Sequence, residues 1–273
     1  MLTSEELDRV CVVLVRARNP NNIGAAARAM HDFGLHHLRV VNDYAVPFES
    51  ARSAIDASEV LANARVCASV AEAVADCTLV VGTTAVGERD LQHELLPLPD
   101  AAPRLRAELH RGVGSNQAAN AGRVALLFGS EKTGLSNEEL SHCNFLLTVP
   151  MQQYEDLRHP SMNLGQAVAV CLYELVRDPS ASSLGATPPS GTIPATTHST
   201  MESPISAAER ERLTALLGEV LEATEYTRRH PANSDAAQIR RLVRRMAMDA
   251  SDSPIWMGIL RQTLWKLRSS CAD

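Results

Sequence analysis

The sequence is poor in aromatic residues and has no long apolar run. Phe, Trp and Tyr make up 4% of its 273 residues, so a folded core must be built mainly from Ala, Val and Leu. No apolar stretch reaches the roughly 18 residues that a membrane-spanning helix needs. The first nine residues are polar and acidic, without the pattern of a signal peptide. These absences predict a soluble, cytoplasmic protein that has no membrane partner.

Cysteine is present, but the spacing of the cysteines argues against a redox role and against a zinc site. None of the six cysteines belongs to a Cys-x-x-Cys pair or to a Cys/His cluster with the spacing of a zinc site. Several stand within apolar runs, where buried thiols are usually found. We therefore expect reduced cysteines in the core and no bound metal.

Two widespread phosphate-binding loops are also missing. Residues 129–134 (GSEKTG) follow an apolar run, but no Lys-Ser or Lys-Thr pair follows the second glycine, as a P-loop requires. The segment does not match the Gly-x-Gly-x-x-Gly loop of dinucleotide-binding folds. Residues 112–114 (GVG) do not follow a predicted strand. These absences argue against a nucleotide-dependent α/β enzyme of another class.

The charge is unevenly distributed along the chain. The net charge of −6 argues mildly against a nucleic-acid partner, but residues 207–268 carry 11 Lys and Arg against 8 Asp and Glu. A local basic patch attracts phosphate even on an acidic protein. A solvated helix face is the alternative interpretation of the same pattern. The bunched arginines are Arg228, Arg229, Arg240, Arg241, Arg244 and Arg245.

The first 177 residues alternate short β-branched runs with amphipathic segments. This alternation predicts an α/β fold with a mainly parallel sheet covered by helices on both faces. The predicted strands are residues 10–15, 38–42, 65–67, 79–82, 124–129 and 145–149. The predicted helices are residues 22–33, 49–62, 70–75, 103–111, 137–143 and 163–177, with a proline in the first turn of the fourth.

The composition changes after residue 177. Residues 178–206 are rich in Ser, Thr, Pro, Gly and Ala, which cannot bury enough apolar surface to offset the entropy of ordering. We interpret them as a flexible linker between a domain of residues 1–177 and a small all-helical module of residues 207–268. Within that module, residues 207–224, 234–248 and 254–267 read as amphipathic helices.

Three distant segments are candidates for one functional site. They are residues 19–28 (NPNNIGAAAR), 127–135 (LFGSEKTGL) and 159–167 (HPSMNLGQA). Each lies where a predicted strand or loop passes into a helix, which is where α/β proteins usually bind ligands. We therefore expect the three segments to meet.

Each segment also has a simpler interpretation. Arg28 lies off the apolar stripe of its helix, so it is either an ordinary surface arginine or a group that holds a phosphate by two parallel hydrogen bonds. The Gly129 loop is either a ligand loop or a tight strand-to-helix turn. Ser161 and Asn163 either contact a ligand or merely cap a helix.

Taken together, the segments resemble the SPOUT methyltransferases of the SpoU branch. Residues 21–28, 128–135 and 161–167 match the three motifs of that family in order and spacing. The likeness is greatest to its tRNA (cytidine/uridine-2′-O)-methyltransferases. It extends to residues 79–84 (LVVGTT), to residues 134–140 (GLSNEEL) and, more loosely, to residues 207–267. Ser130 and Lys132 depart from the pattern, because basic residues are common on both sides of Glu131.

The resemblance implies a fold, a donor and an assembly. The C-terminal part of the α/β domain would form a trefoil knot, which first principles would not propose. S-adenosylmethionine would bind in the knot, mostly through backbone groups, and two subunits would form a homodimer with the active site near their boundary. The implied donor-binding residues are Thr83, Thr84, Gly129, Glu131, Val149, Pro150, Met151, Ser161, Met162 and Asn163.

The resemblance also implies a reaction, which is methylation of a ribose 2′-hydroxyl in tRNA at nucleotide 32, the start of the anticodon loop. Arg28, Asn22, Glu131 and Ser161 would be its catalytic residues. Because arginine keeps its proton in proteins, we expect Arg28 to clamp a phosphate and stabilise negative charge on the attacking oxygen. Glu131 would orient Arg28 or Asn22, while Asn22 and Ser161 would fix the ribose.

Arg28 and the six bunched C-terminal arginines would contact the tRNA backbone, in a salt-sensitive manner. Two alternatives to the tRNA enzyme stay open. One is a SpoU-type ribosomal RNA 2′-O-methyltransferase, and the other is a non-catalytic RNA-binding protein that has kept the knot.

Overall fold

Within the described residues, seven parallel strands form one sheet. The structure is a computed structural model that describes residues 2–42, 58–85, 91–111, 122–152, 162–177 and 204–270. The strands are β1 (Val10–Val15), β2 (His37–Val41), β3 (Arg65–Cys67), β4 (Cys77–Thr83), β5 (Leu95–Pro97), β6 (Arg123–Phe128) and β7 (Phe145–Thr148). Their order in the sheet is β3-β2-β1-β6-β4-β7-β5. All neighbouring strands pair in parallel, which confirms the predicted α/β class.

Helices cover both faces of this sheet and continue into the C-terminal segment. Within the α/β part they are α1 (Ser4–Leu7), α2 (Pro20–Asp32), α3 (Ser58–Ala62), α4 (Val70–Ala73), α5 (Leu98–His110), α6 (Asn137–Ser141) and α7 (Leu164–Val176). The C-terminal helices are α8 (Ala207–Ala223), α9 (Tyr226–Arg229), α10 (Ala236–Arg245) and α11 (Asp252–Ser270). Among the described helices, none combines the length and the apolar character that crossing a bilayer requires.

The strand β1 shows how the core is divided between the two faces. All six of its residues are buried, and successive side chains point to opposite sides of the sheet. Val12 and Leu14 pack in the cluster that includes α2, α5 and α7. Cys11 and Val13 pack in the second cluster, with α4, α6 and Ala207 at the start of α8. Each buried aliphatic side chain stabilises the fold by about 1.5–3 kcal/mol.

The helix α2 confirms the prediction for the first segment, with a start two residues earlier. The side chain of Asn19 accepts a hydrogen bond from the backbone N–H of Asn21 at 2.9 Å, and Pro20 occupies the first helical position. The apolar side chains of Ile23 and Met30 are fully buried. Gly34 ends the helix with a φ of 73°, a conformation that favours glycine.

The region before β6 differs from the prediction in two ways. Strand β5 was not expected, because Leu95–Pro97 is short and carries a proline, which strands tolerate only at an edge such as this one. Helix α5 begins at Leu98, so Pro103 lies in the helix interior and the prediction that it occupies the first turn was wrong. Pro99 takes the early helical position instead.

The described cysteines are free and buried, as expected. Burial raises the pKa of the Cys143 and Cys171 thiols to about 12, so both stay protonated and unreactive at neutral pH. Cys271 lies outside the described residues. In the part of the chain that the structure describes, no group of three or more His, Cys, Asp or Glu side chains is placed to hold a metal ion.

The C-terminal helices have a small core of their own and also contact the sheet domain. The core is formed by Ile205, Leu213, Val243, Met248 and Leu260. The N–H of Ala208 donates to the Ala75 carbonyl at 3.0 Å, and the Arg210 Nη2 donates to the Thr78 carbonyl at 3.0 Å. These bonds fix the start of α8 beside β4.

The predicted linker is described only at its end. Ile205 is 1% exposed, and Ser206 forms a capping box with Glu209 at the start of α8. Residues 204–206 therefore belong to the C-terminal helical segment. Residues 178–203 of the predicted linker lie outside the described residues, as do residues 49–57 of the second predicted helix.

The strand order places three carboxyl ends side by side. Strand β6 lies between β1 and β4, and β7 lies between β4 and β5, although both come later in the sequence. The ends of β6, β4 and β7 are therefore adjacent at one edge of the sheet. This is the type of edge at which parallel α/β folds bind ligands.

Candidate active site

A chain of two hydrogen bonds joins the three candidate segments. The side-chain Nδ2 of Asn22, in the first segment, donates to Glu131 Oε1 in the second at 2.9 Å. The Nδ2 of Asn163, in the third segment, donates to Asn22 Oδ1 at 2.9 Å. The expectation that these distant segments meet is confirmed. Of the two partners expected for Glu131, Asn22 is confirmed.

The carboxylate of Glu131 sets the donor-to-acceptor direction of these two hydrogen bonds. Burial raises its pKa, but hydrogen bonds from the Asn22 side chain and from backbone N–H groups, including that of Arg18, outweigh burial and hold the pKa below its usual value. Glu131 is therefore ionised at neutral pH and can only accept hydrogen bonds. Asn22 must turn its Nδ2 toward Glu131, which leaves its Oδ1 to accept from Asn163.

The loop that carries Glu131 is closed very tightly. A Cβ on Gly129 would lie 2.2 Å from both Gly134 C and Leu135 N, so only glycine fits there. Gly134 returns the chain with a φ of 65°, and its N–H donates to the Ser130 carbonyl at 2.8 Å. The loop is therefore a tight strand-to-helix turn, and this turn fixes Glu131 beside Asn22.

Arg16, which directly follows β1 and precedes the first segment, ties the chain there to this loop, and the sequence did not point to it. Its Nε and Nη2 donate to the two carboxylate oxygens of Glu139 at 2.7 and 2.9 Å, and Nη2 also donates to the Gly134 carbonyl at 3.1 Å. Burial raises the pKa of Glu139, but the bonds from Arg16 and from the Ser136 N–H hold it below its usual value. The φ of Arg16 is 55°, so its backbone is strained at the end of β1.

The predicted donor-binding residues lie on the adjacent strand ends. Thr83 Oγ1 donates to the Leu127 carbonyl at 2.9 Å, and the Thr84 N–H donates to the Leu147 carbonyl at 3.0 Å. These bonds fasten the end of β4 to β6 on one side and to β7 on the other. Val149, Pro150 and Met151 directly follow β7, and Met162 and Asn163 directly precede α7. Ser161 lies outside the described residues.

Close contact between α2 and α7 brings the third segment against the first. A Cβ on Gly165 would lie 2.6 Å from the Cβ of Ala25. Asn163 caps α7, because its Oδ1 accepts from the Gly165 N–H at 2.9 Å. Arg28 is exposed on α2, three residues beyond Ala25. Asn163 thus uses its oxygen for the helix cap and its nitrogen for the site.

This double use of Asn163 gives a first prediction. Asn163→Asp and Asn163→Ser both keep an oxygen that caps α7, but both lose the nitrogen that donates to Asn22. We expect either variant to lower the catalytic activity of this site at least about 10-fold, while Tm stays within about 2 °C of wild type. Parallel activity assays and thermal melts check this. Full activity in both variants would show that Asn163 only caps the helix.

The six C-terminal arginines are divided between the surface and the interior. Arg228, Arg229 and Arg245 are exposed, and the first two pair with Glu225 at 2.8 and 3.5 Å. Arg241 is half-buried. Arg240 points inward, where it binds both oxygens of Glu211 and donates to Ser141 Oγ at 2.8 Å. This placement does not fit a direct contact between Arg240 and RNA.

Arg244 is also turned inward, with the carboxylate of Glu211 as a nearby opposite charge. All three of its side-chain nitrogens are buried without a hydrogen-bond partner among the described residues. Burial, reinforced by the nearby charge of Arg210, lowers the pKa of Arg244 to about 10. A buried guanidinium without partners destabilises the fold. Arg244 therefore does not fit the predicted contact with RNA either.

The contrast between these two arginines gives a second prediction. Arg244→Met removes a buried charge that has no hydrogen-bond partner among the described residues and keeps most of the side-chain volume, so we expect Tm to rise by about 2–4 °C. The matched variant Arg240→Met leaves Glu211 without its partner and is expected to lower Tm. Thermal melts of both variants check this. A lower Tm for Arg244→Met would mean that its charge is compensated in solution.

Comparison with known proteins assigns the class. The family model described as the SpoU rRNA Methylase family matches residues 9–173. This match covers more than half of the chain and spans all three segments, so the chain belongs to the SpoU family and is a methyltransferase.

Within this family, the chain is similar to several proteins named TrmJ. The chain is 33% identical over 255 residues to the tRNA (cytidine/uridine-2′-O-)-methyltransferase TrmJ of Sodalis glossinidius, covering 93% of this chain and 91% of that protein. It is 39% identical over 170 residues to the tRNA (cytidine/uridine/adenosine-2′-O-)-methyltransferase TrmJ of Pseudomonas aeruginosa, covering 62% and 61%. The crystal structure of TrmJ from Z. mobilis ZM4 is similar with a TM-score of 0.71 at 28% identity, covering 92% and 97%.

Proposed function

We propose that this enzyme transfers a methyl group from S-adenosylmethionine to a ribose 2′-hydroxyl of tRNA, at the start of the anticodon loop. The observation that carries the proposal is the hydrogen-bond chain Asn163–Asn22–Glu131, which joins the three family motifs in one place. The tRNA 2′-O-methyltransferases named among its relatives support the choice of substrate.

The residues at the strand ends fit the donor. The ends of β4, β6 and β7 are adjacent, so backbone groups there would bind the donor, and Val149, Met151 and Met162 would add apolar surface. Thr83 and Gly129 fix the shape of this edge. S-adenosylmethionine would supply a methyl group already activated by a sulfonium, so the protein needs mainly to align the two reactants.

Alignment of the ribose with the methyl donor is the largest contribution to catalysis that we assign to this protein. Positioning of two reacting groups is worth about 7–11 kcal/mol. Asn22, with its amide orientation fixed by Glu131, would hold the ribose together with Ser161. Arg28 would bind the neighbouring phosphate by two hydrogen bonds and stabilise the negative charge that develops on the 2′-oxygen. A phosphate oxygen or a water molecule would accept the proton of the 2′-hydroxyl.

The rest of the chain is assigned to architecture and to tRNA binding. We infer a catalytic domain of residues 1–177 with a trefoil knot, a linker of residues 178–206 whose last three residues join the helices, and a tRNA-binding module of residues 207–268. The insertion of β6 and β7 between earlier strands supports the knot. The exposed Arg228, Arg229 and Arg245 would contact the tRNA backbone, and the enzyme would act as a cytoplasmic homodimer.

The decisive experiment gives the purified protein two substrates in parallel. Unmodified tRNA and ribosomal RNA are each incubated with S-adenosylmethionine, digested, and mapped by mass spectrometry. A new 2′-O-methyl group at the start of the anticodon loop supports the proposal. Methylation of ribosomal RNA alone would favour the second candidate, which the wording of the matched family itself favours. Methylation of neither RNA would refute the proposal.

A further inference from the structure

A groove between α8 and α11 has the chemistry of a nucleotide site. Its volume is about 410 Å³, within the range of small-molecule sites. Leu216 and Glu219 of α8 form one wall, and Arg261, Leu264 and Trp265 of α11 form the other, with Arg268 at one end. None of these residues belongs to the three motif segments or to the six bunched arginines.

The tryptophan in this groove is unusually open to solvent. Trp265 is 61% exposed, while its neighbour Leu264 is 4% exposed and packs inward. Leu264 therefore anchors the helix, and Trp265 contributes little to the core. A large aromatic side chain held at the surface beside a concave, partly apolar wall indicates an interaction site.

Two cations flank the indole. Arg261, Trp265 and Arg268 stand at positions i, i+4 and i+7 of one helix and therefore share a face. Arg268 Nη2 donates to Glu219 Oε2 at 2.8 Å, but both side chains are largely exposed, so this pair contributes little and can exchange partners. Within the described ranges, Arg261 forms no hydrogen bond or ion pair, so its guanidinium is available to a ligand.

We propose that this groove binds an unpaired nucleotide of the RNA substrate. The base would stack on the indole of Trp265, and the adjoining phosphates would bind Arg261 and Arg268. The proposal rests on the proposed function for the identity of RNA as the substrate, and it adds a second contact remote from the reacting ribose. Two cations against the single carboxylate of Glu219 favour an anionic ligand over a neutral or basic protein surface, and the exposed indole favours one that carries bases.

A second exposed apolar patch on α11 lies outside the groove and supplies a control residue for Trp265. Ile255, Trp256 and Ile259 are also exposed on α11, at 62%, 38% and 51%, but they do not line the groove. They belong to the opposite end of the helix and have no arginine at the spacing seen around Trp265. Trp256 is therefore the matched aromatic for testing Trp265.

The first test measures tRNA affinity and turnover of the full-length enzyme. Because stacking of one base on an aromatic ring is worth roughly a 5- to 150-fold change in affinity, Trp265→Ala is expected to weaken tRNA binding and raise KM by a factor in that range. Its kcat at saturating tRNA should stay within about 2-fold of wild type. Trp265→Phe should restore most of the affinity, and Trp256→Ala should bind like wild type. Equal affinity of Trp265→Ala and wild type would overturn the proposal.

The second test uses fluorescence and does not depend on catalysis. The chain has two tryptophans, so Trp256→Phe leaves Trp265 as the sole reporter. We expect an unpaired ten-nucleotide oligoadenylate to quench this emission strongly, and an RNA duplex of the same length to quench it weakly. Glu219→Gln in the same background should tighten binding of the oligonucleotide, because Arg268 is released from its ion pair with Glu219. Equal quenching by the two RNAs, or no quenching, would refute base stacking.

The alternative occupant is another protein surface, including a second copy of this chain. If Trp265→Ala lowered the sedimentation mass while tRNA affinity stayed unchanged, the groove would be a protein contact and the proposal would be wrong. Failure of the proposed function can be distinguished from failure of this inference about the groove. It shows as absence of tRNA methylation by the wild-type enzyme, whereas failure of this inference leaves wild-type methylation intact.

Discussion

Arg28→Ala is expected to lower methyl transfer at least about 100-fold while binding of S-adenosylmethionine is retained. Removing one group that stabilises a developing oxyanion typically costs 100- to 1000-fold in rate. Arg28 is exposed on α2, past the asparagine-rich start of that helix, and we assign it to the ribose and its phosphate and not to the donor. Its loss should therefore act on the ribose and its phosphate.

The measurement pairs a methylation assay with calorimetric titration of the donor. Arg28→Lys keeps the charge but loses the two-pronged geometry, and should recover only part of the rate. Arg65→Ala serves as the control, since this exposed arginine pairs with Glu72 near the β3 edge of the sheet. Turnover of Arg28→Ala within a few fold of wild type would exclude the role assigned to Arg28. Loss of donor binding would instead place Arg28 in the donor pocket.

Gly129→Ala is expected to abolish donor binding and to lower Tm. The new Cβ would lie 2.2 Å from the backbone of Gly134 and Leu135, and backbone atoms held by the Ser130–Gly134 turn cannot give way locally. The loop must therefore open, which carries Glu131 away from Asn22. Overpacking of this kind costs about 1–3 kcal/mol of stability or more. We expect affinity for the donor to fall at least about 100-fold.

The matched control lies in the same loop. Gly134→Ala places a Cβ in open space but at a φ of 65°, so its cost is limited to about 1–2 kcal/mol of backbone strain. Calorimetric titration of the donor and thermal melts should therefore separate the two variants, with Gly134→Ala keeping measurable binding. If both variants bound the donor like wild type, the Gly129 loop would not shape its site.

Local patterns in the sequence were enough to predict the parts of the fold that depend on interactions between residues close in sequence. The cap at Asn19, the stop at Gly34 and the capping box of Ser136 and Glu139 all mark helix ends by interactions between residues that are close in sequence. The meeting of the three segments was predictable too, because the carboxyl ends of parallel strands share one edge.

What the sequence did not reveal depends on partners that are distant along the chain. Leu95–Pro97 is too short to read as a strand and becomes one only by pairing with β7. Arg16 looks like any arginine after a strand until Glu139 is brought beside it. The charge pattern of Arg240 and Arg244 indicated a solvated or RNA-binding face, but contacts with α6 and α8 turn both side chains inward.

The order of the strands has a consequence for synthesis on the ribosome. Val10 of β1 pairs with Val124 of β6, 114 residues further along. At the usual 5–20 residues per second, one edge of β1 is made roughly 6–23 s before the strand that covers it. The nascent chain thus exposes an aggregation-prone apolar edge for that interval. We therefore expect yield of the active enzyme to depend on chaperones and to improve when cells grow in the cold.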